Sequence, residues 1–279
     1  MKVLLLGGSG FVGRHLREAL AARGDQIVTA SLRDPSAAAS IAASCDAVVN
    51  LAGEPIAQRW NEGVKQRIEA SRVDAPRIFL DALAQCDRRT AVYVSASAIG
   101  YYGTSDTETF VEESPPGDDF LARVCVAWER EASRAPALGM RVALVRTGVA
   151  LGKDGGALQK MLPPFQLGVG GIIGSGRQWF SWVHVDDLVS IYLMGLDSAE
   201  GPLNACAPNP VTNAEFTKAL GGALHRPVAL PVPTIALRAI LGEGAAMLLQ
   251  GQRVLPRRTQ ELGYRFRFGT LTDALANLL

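Results

Sequence analysis

The pattern of apolar and polar positions divides the first half of the chain into alternating strands and helices. Residues 3–6 form a continuous apolar run of the kind found in strands that are buried on both faces. Residues 14–23 place apolar positions at helical spacing, and Gly24 follows them where a helix commonly ends. The same patterns predict further strands at residues 26–31, 45–51, 91–95 and 141–146. They predict further helices at residues 37–43, 61–86 with a bend around Pro76, and 120–135.

This alternation predicts an α/β fold with a doubly wound parallel sheet of the Rossmann type, because helices supply the right-handed crossovers between parallel strands. After about residue 148 glycine and proline become frequent and the pattern changes. Later elements are predicted as helices at residues 186–196, 212–224 and 271–279, and as a strand at residues 202–206. We therefore expect a small C-terminal substrate-binding lobe over the carboxyl edge of the sheet. The expected division assigns residues 1–150 and about 184–206 to the sheet domain, and residues 151–183 and 207–279 to the lobe.

The composition limits the partners that the chain can have. With 28 basic and 27 acidic residues the formal net charge is +1, which gives no support for a nucleic-acid or membrane-surface partner. The four cysteines are widely spaced and the three histidines show no ligand spacing, so we expect neither a disulfide framework nor a metal site. No apolar stretch approaches the roughly 18 residues of a membrane span, and a cytoplasmic protein is expected.

A glycine-rich turn between the first strand and the first helix is the strongest binding signal in the sequence. Gly7, Gly10 and Gly13 follow G-x-x-G-x-x-G spacing, which differs from the simplest dinucleotide spacing of G-x-G-x-x-G. In such a turn the first glycine permits the tight bend, the second lets phosphates approach the backbone, and the third lets the helix pack close to the strand. Backbone N–H groups and the helix dipole can then hold a pyrophosphate. The predicted cofactor turn comprises Gly7, Ser9, Gly10, Phe11, Val12 and Gly13.

The end of the second strand favours NADP(H) over NAD(H). An acidic side chain at this position hydrogen-bonds the adenosine 2′-hydroxyl and selects NAD(H). Here the apolar strand ends at Ser31, Leu32 and Arg33, and a planar guanidinium suits a 2′-phosphate. Ser9 could add a hydroxyl donor. Asp34 would favour NAD(H) if it faced the ribose in place of Arg33.

The exit of the third strand offers a second surface for the cofactor. Leu51, Ala52 and Gly53 follow Asn50, and a glycine at a strand exit allows a ligand to lie against the backbone. Glu54 comes next, and its carboxylate could act as a base or accept a hydrogen bond from a sugar hydroxyl. An ordinary loop charge is the alternative for Glu54.

Six segments, in order, carry a resemblance to a known family. They are GGSGFVG at the start, NLAGEPI after the third strand, VSASAIGYYG at the fourth, LVRTGVALG at the fifth, then WVHVDDL and ELGYRFRF. With the pair Trp128-Glu129, they make the chain similar to the extended short-chain dehydrogenase/reductase superfamily. More narrowly, it resembles the "epimerase family" branch of NAD(P)-binding sugar-epimerase relatives. The resemblance covers nearly the whole chain and implies a Rossmann fold that binds NAD(P).

The resemblance also implies site residues near the ends of the fourth and fifth strands. In the enzymes that the chain resembles, a serine at the end of the fourth strand hydrogen-bonds the substrate oxygen. Ser97 matches that serine, and Ser95 is the alternative, which we assign to the cofactor site. Thr147 lies in the stretch where the family touches the nicotinamide end of the cofactor.

The tyrosine and lysine of the family's Y-x-x-x-K motif have no match in this chain. In the family the tyrosine transfers a proton and the lysine lowers its pKa, because a phenol with a pKa near ~10 is a poor acid or base at neutral pH. Placing the motif at Phe120 gives Val124 for the lysine, and placing it at Leu121 gives Cys125. The standard mechanism therefore cannot be transferred to this sequence.

Three hypotheses about activity follow from the missing pair. Tyr102 or its neighbour Tyr101 could act as an acid or a substrate anchor, although the tandem could equally be packing. The chain could run a different reaction on bound NADP(H), or it could be a sensor with little catalysis. The sequence favours an NADP(H)-binding epimerase- or oxidoreductase-like protein that acts on a small polar, sugar- or nucleotide-like substrate, with Ser97, Tyr102 and Glu54 as catalytic candidates. A non-catalytic NADP(H)-binding sensor or regulatory protein is the alternative.

The glycine-rich loop of the second half supplies candidate substrate residues. Arg177 lies beside Trp179, and an arginine next to aromatic rings can clamp a phosphate or a base. Packing between the lobes is the alternative for Trp179. In the superfamily that the chain resembles, dimers often pair the helices that correspond to residues 61–86 and 120–135, so a homodimer is expected.

Overall fold

The computed structural model describes residues 1–87, 90–228 and 231–279, and it is built around a six-stranded parallel sheet. The strands are, in chain order, β1 (Lys2–Leu6), β2 (Gln26–Ala30), β3 (Ala47–Asn50), β4 (Val92–Ala98), β5 (Thr109–Phe110), β6 (Arg141–Thr147), β7 (Val149–Gly152), β8 (Trp179–Phe180), β9 (Trp182–His184), β10 (Gly201–Ala205), β11 (Val211–Thr212) and β12 (Arg253–Val254). Neighbours in the large sheet follow the order β10-β6-β4-β3-β1-β2, and all of these pairs are parallel. The chain leaves β1 for β2 on one side and continues to β3 on the other, which creates a switch point between β1 and β3.

Helices flank both faces of this sheet and also form most of the lobe. They are α1 (Phe11–Ala22), α2 (Pro35–Ala42), α3 (Glu62–Arg72), α4 (Asp74–Ala84), α5 (Phe120–Ala132), α6 (Gly156–Gln166), α7 (Val185–Asp197), α8 (Asn213–Ala223), α9 (Thr234–Leu241), α10 (Ala246–Leu249), α11 (Arg257–Glu261) and α12 (Leu271–Leu278). Among the described residues, no helix combines the length and the apolar character needed to cross a bilayer.

The first strand shows why the sheet is covered on both faces. Val3 and Leu5 are fully buried in an apolar cluster with α1 and α7. Leu4 and Leu6 point the other way, into a second buried cluster with α2 and α4. Successive side chains of a strand face opposite sides, so a continuous apolar run requires two helical layers. The prediction of a doubly wound α/β sheet is confirmed.

The helical stretch predicted at residues 61–86, with a bend around Pro76, forms two helices. α3 ends and α4 begins around Val73, three residues before Pro76. Proline has no N–H and clashes with the preceding turn inside a helix, but it fits in a first turn, where N–H groups have no helical partner anyway. Pro76 therefore lies in the first turn of α4, and the break comes before it.

The C-terminal lobe has its own core and lies over the carboxyl edge of the sheet. β7 follows the carboxyl end of β6, and β12 pairs with β5, which follows the carboxyl end of β4. A third apolar cluster joins α6, α8 and α12 around Trp182, Phe216 and Leu275. This edge carries the loops that follow the parallel strands, where ligands bind in such sheets.

Candidate functional site

The glycine turn after β1 has the geometry that the sequence predicts for it. Gly7 adopts a left-handed backbone conformation with φ +82°, and a Cβ there would lie 2.8 Å from the carbonyl carbon of Leu51. A Cβ at Gly13 would lie 2.8 Å from the Cα of Gly8, so only glycine lets α1 pack this close to the turn. At Gly10 the nearest atom would be the Gly7 carbonyl oxygen at 3.4 Å, and its outer side is open.

The start of α1 presents free backbone donors at this turn. Gly10 is the N-cap, no side chain caps the helix, and its first turn carries no acidic residue. Ser9 and Gly10 are exposed, whereas Phe11 and Val12 are half-buried. The ring of Phe11 packs under the turn between β7 and α6, where a Cβ at Gly152 or Gly155 would overlap it. The N–H groups of this first turn and the positive helix end suit a pyrophosphate.

The end of β2 separates the roles of the two charged side chains that compete there. The carboxylate of Asp34 accepts a hydrogen bond from the N–H of Ala37 at 3.0 Å and caps α2. Arg33 is exposed, and its side chain makes no hydrogen bond or ion pair with any of the described residues. The guanidinium of Arg33 is therefore available at the end of β2, while Asp34 already has a structural partner.

The segment after β3 is shaped by a buried asparagine and closed by an arginine. Asn50 donates to the hydroxyl of Tyr93 at 3.1 Å and accepts from the N–H of Ala52 at 3.1 Å, which turns the chain back toward Gly7. A Cβ at Gly53 would lie 2.9 Å from the Cζ of Arg72. The guanidinium of Arg72 therefore occupies the space beside Gly53 that a side chain would need.

Glu54 is a half-buried carboxylate at the carboxyl edge of the sheet. Its Oε1 accepts a hydrogen bond from Gln58 at 3.1 Å and lies 3.5 Å from the Nε of Arg67. The Gln58 amide, followed by Arg67 and Arg72, holds the pKa of the Glu54 carboxyl below its usual range despite partial burial. The side chain is therefore ionised at neutral pH and acts as an acceptor.

Ser97 and Tyr102 are joined in one buried polar network. The Ser97 hydroxyl donates to Glu129 at 2.6 Å, and Glu129 makes a two-point ion pair with Arg146 at 2.8 Å for each bond. Arg146 also donates to the Tyr102 hydroxyl at 2.9 Å, which in turn donates to Asn204 at 2.7 Å. Burial raises the pKa of Tyr102 well above its usual value. Tyr102 therefore stays protonated at neutral pH.

Sequence reasoning missed three residues of this network, Asn204 and the charged pair Arg146 and Glu129. Arg146 is a charged residue within the apolar strand β6, and Glu129 belongs to the Trp128-Glu129 pair on α5; each is a detectable anomaly. Arg146 also lies over the ring of Tyr101, with Cζ 3.6 Å from the ring centroid. A buried charge needs a partner, so an arginine inside a strand predicts a carboxylate nearby.

The two remaining strand-end candidates lie on adjacent strands. Ser95 is fully buried on β4 and pairs with Asn50 of β3. Its hydroxyl donates to the carbonyl of Ala96 at 3.0 Å. Thr147 is the half-buried last residue of β6 and pairs with Ala98. Thr147 thus lies at the carboxyl edge, whereas Ser95 lies deeper inside the sheet.

The register of α5 is resolved by its contacts. Phe120 and Val124 pack in an apolar cluster that also contains Trp60 and residues of α3. Leu121 and Cys125 face the end of β4, since a Cβ at Gly100 would lie 3.5 Å from the Leu121 Cβ and 3.9 Å from the Cys125 Sγ. The face of α5 toward the sheet edge therefore carries leucine and cysteine, with no tyrosine or lysine.

The lobe separates the predicted pair Arg177 and Trp179. Arg177 is exposed, whereas Trp179 is half-buried and donates from Nε1 to the carbonyl of Asp106 at 3.1 Å. The cation over the Trp179 ring is Arg253, at 4.9 Å from the ring centroid. A cleft of about 610 Å³ opens beside the same loop, and its lining includes Ser175, Arg238 and Leu249.

The all-parallel sheet, its switch point and the uncapped glycine turn define a Rossmann-type α/β protein. The model of the NAD dependent epimerase/dehydratase family matches residues 3–205, and the chain belongs to this family. A domain of unknown function, DUF1731, matches residues 232–278 in the lobe.

Curated relatives and a solved structure extend the similarity over the full chain. The Arabidopsis thaliana protein named "Epimerase family protein SDR39U1 homolog, chloroplastic" is 44% identical, over 100% of this chain and 87% of the relative. The human epimerase family protein SDR39U1 is 40% identical, over 100% of both chains. A crystal structure of human SDR39U1 (isoform 2) with NADPH has a TM-score of 0.92 at 38% identity and covers 100% of this chain and 99% of that chain.

Proposed function

We propose that this chain binds NADP(H), with the pyrophosphate at the glycine turn and the adenosine 2′-phosphate at Arg33. The observation that carries the proposal is at the end of β2, where Asp34 caps α2 while Arg33 remains exposed and unpaired among the described residues. A guanidinium forms strong charge-assisted bonds with a phosphate. The human relative, which was crystallised with NADPH, supports the same cofactor.

The cofactor proposal is tested by measuring the Kd of NADPH and NADH by fluorescence titration. We expect the unaltered chain to prefer NADPH, and Arg33→Ala to weaken NADPH about tenfold or more, since a hydrogen bond to a charged group contributes about 1.5–3 kcal/mol. NADH binding should change little. Arg17→Ala, an exposed arginine on α1, is the matched control. Equal affinities for NADPH and NADH in the unaltered chain would contradict the role of Arg33.

We further propose redox or epimerase-like chemistry on a small polar, sugar- or nucleotide-like substrate. The nicotinamide supplies hydride transfer when it is bound, and the substrate lies between the sheet domain, residues 1–150 and about 184–206, and the lobe, residues 151–183 and 207–279. The ionised Glu54 accepts a hydrogen bond from a substrate hydroxyl. Arg177 and Trp179 contact the substrate from the lobe.

A sensor without catalysis is the second candidate, and the buried network favours it. The hydroxyls of Ser97 and Tyr102 already donate to Glu129 and Asn204, and both side chains are almost fully buried. In the enzyme proposal they remain the predicted catalytic residues and must exchange these partners for substrate. The absorbance of NADPH at its dihydronicotinamide band, followed with sugar nucleotides and small carbonyl compounds, separates the candidates: substrate-dependent loss supports the enzyme, and tight binding without loss supports the sensor.

Two further properties belong to the proposal. We propose a homodimer through α4 and α5, because Ile78 and Val126 on these helices are exposed apolar side chains. We also propose a reducing, cytoplasmic compartment, because the four cysteines are widely spaced along the sequence. The name of the Arabidopsis relative places that protein in the chloroplast.

A further inference from the structure

Arg72 is a half-buried cation at the carboxyl edge, and only part of its hydrogen-bonding capacity is used. Its Nη1 donates to the carbonyl of Glu54 at 2.9 Å, with longer bonds to Ile68 and Ser71. Its Nε and Nη2 have no hydrogen-bond partner among the described residues. Burial lowers the pKa of the Arg72 guanidinium. Neither Nε nor Nη2 belongs to the fully buried side-chain atoms that lack a partner, so a ligand at this edge can reach these donors.

The surroundings of Arg72 add another donor, and the nearby Glu54 carboxylate interacts with Arg72 electrostatically without a hydrogen bond to it. Its Cζ lies 5.2 Å from the ring centroid of Trp128, whose Nε1–H is itself buried without a partner in the described part of the chain. Cys125 interacts electrostatically with Arg72, and burial raises the pKa of its thiol to about 12, so it stays neutral. Arg72, the last residue of α3, therefore lies beside the face of α5 that carries Leu121 and Cys125.

The order of the strands indicates which group approaches Arg72. If the adenosine 2′-phosphate lies at Arg33 after β2 and the pyrophosphate lies at the turn after β1, the other half of the dinucleotide must continue along the edge toward β3 and β4. The guanidinium of Arg72 lies against Gly53, three residues beyond the end of β3. The nicotinamide ribose and carboxamide are rich in oxygen acceptors and match its unused donors.

We propose that Arg72 binds the nicotinamide-ribose half of NADP(H) and supplies from α3 the cation that α5 lacks. This inference rests on the proposed binding of NADP(H). It assigns a cofactor-contacting role to a residue outside the glycine turn, the end of β2 and the serine of β4. The unused N–H groups on its Nε and Nη2 bind the nicotinamide half, and Arg72 makes no contact with the adenosine half.

The test compares two ligands, NADPH and adenosine 2′,5′-bisphosphate, which lacks the nicotinamide half. In Arg72→Met, which keeps the apolar stem, we expect the Kd of NADPH to rise about tenfold, while the Kd of the bisphosphate stays within about twofold. Arg72→Lys keeps a cation and should recover part of the loss. Arg77→Met, at an exposed arginine on α4, is the matched control and should change neither Kd.

An equal rise in both Kd values, or no rise in either, would overturn the proposal, because a purely structural role moves both ligands together. If Arg72→Met does not fold, Arg72→Lys decides the question by the same ratio of the two Kd values. If the unaltered chain binds neither ligand, the proposed NADP(H) binding fails as well. If the unaltered chain binds both ligands but Arg72→Met leaves the ratio of the two Kd values unchanged, NADP(H) binding stands and only the role of Arg72 is refuted.

Discussion

Single residues at the carboxyl edge are held by contacts that leave little room for substitution. Glu129 and Arg146 form a buried two-point ion pair, which also fixes Ser97 and Tyr102. Removing one member of a buried pair typically costs about 3–5 kcal/mol, because the other charge remains without a partner. This network gives Ser97 a structural duty whether or not it also contacts substrate.

The guanidinium of Arg72 packs against Gly53 in space that is open only because Gly53 has no side chain. A Cβ would lie 2.9 Å from the Arg72 Cζ, so Gly53→Ala should displace the guanidinium and lower the free energy of unfolding by about 1–3 kcal/mol. Urea denaturation measures this loss. Gly63→Ala in α3 is the control, since the nearest atom to its Cβ would be the Oδ1 of Asn61 at 3.5 Å. In Arg72→Met the cost of Gly53→Ala should shrink; additive costs would show that the two residues are not coupled.

At the scale of elements, α4 and α5 show how a helix can serve the sheet and still expose apolar surface. α4 buries Phe79, Leu80 and Leu83 against the sheet but leaves Ile78 46% exposed. α5 likewise leaves Val126 36% exposed. The two helices are neighbours, so both side chains can contribute to one shared surface.

If α4 and α5 form a symmetric dimer interface, a charged residue at position 78 enters that interface once from each subunit, and the two like charges repel each other. Ile78→Lys should therefore convert the dimer to a monomer in light scattering after size exclusion. Ile240→Lys, at a 66% exposed position on α9, is the control and should leave the mass unchanged. A monomeric unaltered chain would contradict the interface, and so would an Ile78→Lys dimer of full stability.

At the scale of the whole molecule, His184 connects the start of α7 to α12, two elements that are far apart in the sequence. Its Nδ1 accepts from the N–H of Asp186 at 3.0 Å and caps α7, while Nε2 donates to Asn277 of α12 at 3.1 Å. Its ring stacks on Phe268 at 3.8 Å between centroids. Burial lowers the pKa of His184, so the folded chain holds the neutral form.

This burial predicts a loss of stability at mildly acidic pH. The unfolded chain takes up a proton at a pKa of about 6.5, whereas the folded chain resists protonation until its lower pKa. Stability should therefore be full above about pH 7 and fall as the pH decreases below about 6.5. Thermal melts across this range measure the slope. His184→Asn, which can still cap α7, should flatten it, and an unchanged slope would assign the effect to other groups.

The sequence by itself determined the parts of this protein that local patterns encode. Apolar runs and helical spacing gave the six strands of the sheet in chain order, and the glycine spacing at 7, 10 and 13 gave the turn. Arg33 was the basis for predicting NADP(H) over NAD(H), and the crystal structure of the human relative with NADPH agrees with that cofactor. These features depend on neighbouring residues, so they can be recognised without knowing the fold.

Only the tertiary structure decided which distant residues meet at the carboxyl edge. Arg72 reaches Gly53 from the end of α3, and Glu129 reaches Ser97 across 32 positions of the chain. The break at Val73 and the register of α5 likewise depend on packing against other elements. A period of 2 or 3.6 residues marks which face of an element is buried, but the partner on that face is fixed by long-range packing.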